Sequence, residues 1–91
     1  MLYFVIEQFK SPEATAEVYK RFAEKGRMLP NGLHYIDSWV EENMSRCFQL
    51  METDDPGLFD HWTACWEDLV DFEIVPVTKS AAASARFGDK T

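Results

Sequence analysis

The order of elements in this chain leaves more sheet to cover than helix to cover it. Hydrophobic periodicity predicts strand, helix, strand, strand, helix, strand, and several of the strands are apolar on both faces. In the first, Leu2, Phe4 and Ile6 alternate with Tyr3, Val5 and Glu7, so five of six side chains are apolar or aromatic. Such a strand suits the middle of a sheet covered on both sides. Two helices of this length cover one face of a four-stranded sheet. The other face needs a second source of cover, and another copy of the chain is the economical one. The pattern sets fold and assembly; it names no reaction.

The local signals are consistent along the chain. Leu2–Phe9 is the first strand. Ser11-Pro12-Glu13 opens a helix: Ser11 caps it, Pro12 suits the first helical position and Glu13 complements the dipole. Ala14, Val18, Phe22 and Ala23 are expected to face inward, with Tyr19 beside them; the helix stops at Gly26 or runs on through Met28 before Pro30. Pro30-Asn31-Gly32 is a turn. Leu33–Glu42 is the second strand, with Tyr35, Asp37, Trp39 and Glu41 on one face and His34, Ile36, Ser38 and Val40 on the other. Glu42-Asn43-Met44-Ser45 turns the chain into a third strand, Arg46–Thr53. A register that sets Glu41 against Arg46 and Trp39 against Phe48 gains an ion pair and an aromatic pair, and a slip of one residue loses both. Thr53-Asp54-Asp55-Pro56 reads as a second helix start of the same design, followed by Leu58, Trp62, Cys65, Trp66 and Leu69 at helical spacing. Phe72–Val77 is the last strand, and Pro76, which cannot donate to a ladder, places it at an edge.

This is the split βαβ order, a ferredoxin-like α+β sandwich in residues 1–78. Its antiparallel sheet carries both helices on one face. Right-handed crossovers put the first and third strands at the centre. Residues 79–91 are Ala/Ser-rich and read as a flexible C-terminal tail. Alternation alone leaves open which strand face carries the helices. On the face they leave bare, aromatic and aliphatic residues of the central strands would form a patch larger than the roughly 300–600 Å² that soluble monomers tolerate. A symmetric homodimer through that face is expected to cover it.

Charge removes some functions. The chain carries 9 basic and 16 acidic residues, a net of −7. Setting aside the tail, with three basic residues and one acidic, leaves six basic and fifteen acidic, a net of −9. Such a surface repels phosphate backbones, so no nucleic-acid partner is expected. Cys47 and Cys65 have seventeen residues between them and form no CxxC or paired Cys/His spacing. That supports neither a metal site nor a redox motif, and no cofactor is expected. Free thiols, no basic leader and no long apolar run suggest a cytoplasmic protein without a membrane partner.

Four stretches carry a resemblance. Phe22-Ala23-Glu24-Lys25-Gly26-Arg27-Met28-Leu29-Pro30, Asp37-Ser38-Trp39-Val40-Glu41, Arg46-Cys47-Phe48-Gln49-Leu50-Met51-Glu52-Thr53 and Phe72-Glu73-Ile74-Val75-Pro76-Val77 resemble an uncharacterised family of short proteins, catalogued as a domain of unknown function. The similarity covers nearly everything except the tail. That family is similar in layout to the dimeric α/β-barrel group, in which two ferredoxin-like subunits place their sheets face to face. Cofactor-free monooxygenases, isomerases and haem-degrading enzymes belong to that group. The resemblance implies fold and homodimer and brings no catalytic residues with it.

Candidate chemistry therefore rests on residue types. Asp37, flanked by Tyr35 and Trp39, is a candidate general base, and Glu52 at the end of a central strand is another. His61 precedes the inward Trp62 and is a candidate acid/base group or haem ligand; a solvent-facing histidine is the plainer reading. Tyr35, Trp39, Phe48, Trp62 and Trp66 are candidate walls of an apolar pocket, with Gln49 supplying an amide. Cys47 is a weaker candidate nucleophile, since no histidine is placed beside it. Two functions fit this inventory. One is a dimeric protein that binds or transforms a small apolar or aromatic molecule without a metal. The other is a non-catalytic dimeric module in which every candidate residue is structural. A cavity of about 300 Å³ or more holding Asp37 or His61 favours the first, and a closed, dry core favours the second.

Overall fold

The computed structural model of the chain describes residues 1–88. Its elements are β1 (Leu2–Phe9), α1 (Pro12–Lys25), β2 (His34–Val40), β3 (Arg46–Glu52), α2 (Leu58–Ala64), β4 (Val70–Val77) and α3 (Ser80–Arg86). The four strands form one antiparallel sheet in the order β2-β3-β1-β4. The first and third strands lie at the centre, and the strand with Pro76 lies at an edge, as the sequence predicts. The architecture is the ferredoxin-like α+β sandwich. No helix among the described residues is long and apolar enough to cross a membrane.

The hairpin takes the expected register. Trp39 pairs with Phe48. Glu41 N–H donates to the Arg46 carbonyl at 2.8 Å, and the Arg46 guanidinium donates to both Glu41 carboxylate oxygens at 2.7 and 3.0 Å. That fork holds the Glu41 carboxyl below its ordinary value.

One expectation about β2 is overturned. Tyr35 pairs with Met51 and Asp37 with Leu50, so Ile36 is an extra residue in the strand. A bulge of this kind breaks the two-residue period. It sends Tyr35 to the opposite face from Asp37 and Trp39, where it joins Ser38; their hydroxyls lie 2.7 Å apart. Tyr35 therefore does not flank Asp37.

The covered face is now assigned. Tyr3, Val5, Glu7 and Phe9 of β1 and Cys47, Gln49 and Met51 of β3 are buried beneath the helices. The opposite face carries Leu2, Phe4 and Ile6 of β1, Phe48 and Leu50 of β3, Trp39 of β2 and Val75 and Val77 of β4. Among the described residues, neither core cluster draws a member from this face. Trp39 is 53% exposed, and the Phe4 ring stacks on Phe48 with centroids 6.1 Å apart.

The helices are shorter or looser than the pattern suggests. α1 begins as read: Ser11 Oγ accepts from Ala14 N–H at 3.0 Å, Pro12 occupies its first turn, and Gly26 ends it at φ +67°. Ala23, however, is exposed rather than inward, and Phe22 is half out of the core. The inner end of α1 is instead fixed by Arg21. Its guanidinium donates to both Asp68 carboxylate oxygens and to the Cys65 carbonyl, all at 2.8–2.9 Å, and lies over the Trp66 ring. That contact ties α1 to the turns after α2.

The second helix start differs from the first. Thr53 Oγ1 accepts from Asp55 N–H and Asp55 Oδ1 from Gly57 N–H, each closing a turn before the helix. α2 then starts at Leu58 without a side-chain cap and ends at Ala64. Leu69 sits in the turns that follow, and β4 begins two residues earlier than the pattern suggests. The described part of the expected tail carries α3, none of whose residues is buried; residues 89–91 of that tail lie outside the described residues.

Candidate functional site

The space beneath α1 is a partly open cavity of about 120 Å³. Its floor is the helix-side face of the sheet, its roof Val18, Tyr19 and Phe22 of α1, and one wall Trp62 and Trp66. On the floor, side chains line up in rows across the strands. Val40, Cys47, Glu7 and Phe72 form one row, and Ser38, Gln49, Val5 and Ile74 form the next. The two rows place a carboxyl, a thiol, an amide and a hydroxyl side by side on an otherwise apolar floor.

Glu7 is the unusual member. It is 9% exposed and makes no hydrogen bond or ion pair among the described residues. Burial pushes its carboxyl up to about 7, and the charge of Arg27 pulls it partly back. An isolated carboxylate in a low-dielectric site is costly, so the neutral form is favoured. A carboxyl that titrates near neutral pH can both take and give a proton there.

Its neighbours have definite roles. Burial, then the charge of Glu7, pushes the Cys47 thiol up to about 12. Thiolate rather than thiol is the nucleophile, so Cys47 is a small apolar filler. Burial raises the Tyr19 hydroxyl, and the nearby Cys47 and Glu7 add to it, which keeps Tyr19 a hydrogen-bond donor. Gln49 donates to the Met51 sulfur at 3.3 Å, leaving its amide oxygen facing the cavity. The Arg27 guanidinium carbon lies over two aromatic rings, 3.6 Å from the Tyr35 centroid and 4.9 Å from that of Phe22. Its carbonyl accepts from the indole N–H of Trp62 at 3.0 Å and of Trp66 at 3.1 Å. The two buried tryptophans thus satisfy their only donors on the segment that carries Arg27.

The structure divides the residues singled out from sequence between two places. Gln49, Trp62 and Trp66 meet at the cavity, and Tyr35 stacks on Arg27 beside it. Trp39 and Phe48 do not line it: they pair with each other on the opposite face of the sheet, and the bulge at Ile36 is what sends Tyr35 to the cavity side. Asp37 is on that same face, exposed, with its carboxylate accepting from Ser38 N–H at 2.8 Å. Glu52 is there too, 3.4 Å from the N-terminal amine. His61 is exposed on α2, its side chain outside the cavity. The cavity therefore contains neither Asp37 nor His61 and is smaller than the 300 Å³ mark set above, yet it is neither closed nor free of titratable groups. Its acid is Glu7, which sequence reasoning passed over. The signal was present: one carboxylate on a face otherwise made of Tyr3, Val5 and Phe9, in a strand read as central. Among the described residues no group of three His, Cys, Asp or Glu is placed to hold a metal ion.

Comparison with known proteins identifies the family. Residues 1–90 match the model of the family described as Domain of unknown function (DUF3303), and the chain belongs to it. A solved structure described as an antibiotic biosynthesis monooxygenase superposes with a TM-score of 0.50 at 22% identity, covering 87% of this chain and 100% of that one. At that identity the likeness is one of fold. Comparison with curated proteins gives no match.

Proposed function

We propose that this family member binds a small apolar or aromatic molecule in the cavity beneath α1 and exchanges a proton with it through Glu7. One observation carries the reading: a largely buried glutamate with no hydrogen bond among the described residues, lining a partly open and mostly apolar cavity. A fold does not need such a group, and retaining it costs stability that the chain has no structural reason to give up. Proton abstraction from an acidic carbon is the chemistry Glu7 suits best. The Tyr19 hydroxyl can donate to an oxygen of the ligand, while Trp62, Trp66 and Phe22 give the cavity its apolar lining. The antibiotic-biosynthesis neighbour shares the fold, which is compatible with this reading and does not specify it.

The working form is a homodimer joined through the bare face of the sheet. Phe4, Trp39, Phe48 and Leu50 would meet their counterparts at its centre. Asp37 and Glu52 would then lie at the rim and serve solubility or pairing rather than catalysis. Free Cys47 and Cys65 fit a cytoplasmic location.

Toluene tests the cavity without any assumption about charge. Cavities of about 150 Å³ lined by apolar side chains accept a benzene ring. Toluene is expected to shift the backbone amide signals of Val18, Cys47 and Gln49 in heteronuclear NMR spectra, and Val18→Trp, which fills the space, is expected to abolish the shifts. Absence of shifts in the parent protein leaves the dimeric module as the better account.

A further inference from the structure

The segment at the mouth of the cavity holds a cation that nothing in the fold consumes. Among the described residues, Arg27 makes no hydrogen bond or ion pair through its guanidinium; its only recorded side-chain partners are the faces of Tyr35 and Phe22. Stacking engages the flat face of a guanidinium and leaves the N–H groups around its edge unspent. Two other arginines use the same group fully: Arg21 and Arg46 each fork onto a carboxylate. Arg27 is near enough to Glu7 and Cys47 to act on both electrostatically, yet it forms no bridge to Glu7.

Its backbone is held as firmly as its side chain. Two indole N–H groups fasten the Arg27 carbonyl, and the residues on either side, Gly26 and Met28, both take left-handed conformations at φ +67° and +59°. Met28 bears a side chain, so that conformation costs energy and persists because the surroundings impose it. The result is a cation presented in a fixed pose beside a small apolar hollow. At about 120 Å³ that hollow has room for one ring, with anything larger projecting through the mouth towards Arg27.

We propose that the ligand is a single-ring aromatic carboxylate, its ring in the cavity against Val18 and Trp66 and its carboxylate forked onto the free edge of Arg27. This rests on the reading of the cavity as a small-molecule site and narrows it to a substrate class. The planar carboxylate matches the geometry of the guanidinium edge, which can fork onto both of its oxygens. The chain's net charge of −7 repels anions generally, so selectivity for one has to come from this local group.

A pH dependence follows. The groups facing Glu7 are Tyr19 from α1, Arg27 from the loop after it and Cys47 from β3; α2, β2 and β4 bring Trp62, Trp66, Ser38 and Phe72, none of which titrates in this range. Only Glu7 changes charge between pH 6 and 8. Its neutral form removes a negative charge beside the bound carboxylate, so binding takes up a proton and strengthens as pH falls.

The test compares benzoate with its neutral isostere benzamide, and with toluene, on the full chain by NMR titration at pH 6 and pH 8. Benzoate is expected to bind at least about tenfold more tightly than benzamide at pH 6 and to weaken by about tenfold at pH 8. Arg27→Gln is expected to erase the preference while toluene still binds, which shows that the variant keeps its cavity; Glu7→Gln is expected to flatten the pH dependence. Benzamide binding as tightly as benzoate in the parent protein overturns the proposal, as does a preference that survives Arg27→Gln. If toluene binds and benzoate does not, the carboxylate assignment alone falls. If no ring binds, the small-molecule reading falls and takes this one with it.

Discussion

Replacing Glu7 by glutamine is expected to stabilise the protein strongly at pH 8 and to have a much smaller effect at pH 5. The sign follows from proton linkage. The Glu7 carboxyl is raised from 4.5 in the open chain to about 7 in the fold. Between those values the native state binds the proton more tightly than the unfolded state. Stability is therefore full below about 4.5, falls as pH rises through the window, and levels off above about 7. A separation of that size corresponds to about 3 kcal/mol, on the order of the whole margin of a small domain. For a chain of this length, each kcal/mol moves the thermal midpoint by about 4–8 °C. Glutamine has the shape of the protonated acid and never ionises, so the variant keeps the low-pH stability at all pH values. Thermal melts of both proteins at equal concentration, at pH 5 and pH 8, measure the effect. A variant no more stable than its parent at pH 8 contradicts the burial cost assigned to this carboxyl. The combination of higher stability and lost proton exchange is what distinguishes a functional acid from a structural one.

The second large effect concerns the bare sheet face. In an isolated subunit Phe48 borders water, and Phe48→Asp costs the fold little. In a face-to-face dimer the same residue lies near the two-fold axis, and the variant buries two like charges against each other. The cost of an uncompensated buried charge is about 3–5 kcal/mol, which weakens association by at least about a hundredfold. Sedimentation equilibrium at micromolar concentration is expected to give twice the chain mass for the parent and the chain mass for the variant, with the same helix content by circular dichroism. A parent protein that sediments as a well-folded monomer contradicts the homodimer. The choice of Phe48 over Trp39 is deliberate. Phe48 sits on a central strand and stacks on Phe4, whereas Trp39 is on the edge strand, where a partner can be absent without exposing it further.

The legible parts of this fold are those written twice in the sequence. The β2–β3 register is encoded by Glu41 against Arg46 and by Trp39 against Phe48, and both pairs form. The start of α1 is encoded by Ser11, Pro12 and Glu13 together, and the helix begins there. The edge position of β4 is encoded by Pro76 and, independently, by crossover handedness. Where only one signal was available it misled. Thr53-Asp55 has the composition of a cap, but its side-chain oxygens are spent on turns before the helix begins. Alternation along β2 was the sole guide to its faces, and one extra residue at Ile36 reversed it for Tyr35. The bulge has no strong local signature, because β-branched Ile36 suits an ordinary strand position equally well.

The site was hidden for a related reason. Period-two alternation shows that Glu7 shares a face with Tyr3, Val5 and Phe9. It does not show that this face lies beneath the helices, and on the other face Glu7 would be a solvated charge. The cavity itself is closed by residues far apart in the chain, with Val18, Tyr19 and Phe22 of α1 facing Trp62 and Trp66 across the sheet. Arg27 reads from sequence as a loop residue after a helix stop. Its presentation depends on two indoles from α2 and the turn after it, which no spacing rule connects to it.

The most direct measurement is the titration of the Glu7 side-chain carboxyl carbon by ¹³C NMR, assigned by its loss in Glu7→Gln. A largely buried carboxyl poised for proton exchange predicts a midpoint at about 7. A midpoint at the ordinary 4.5 would show a solvated or paired carboxylate and would contradict the proposed site.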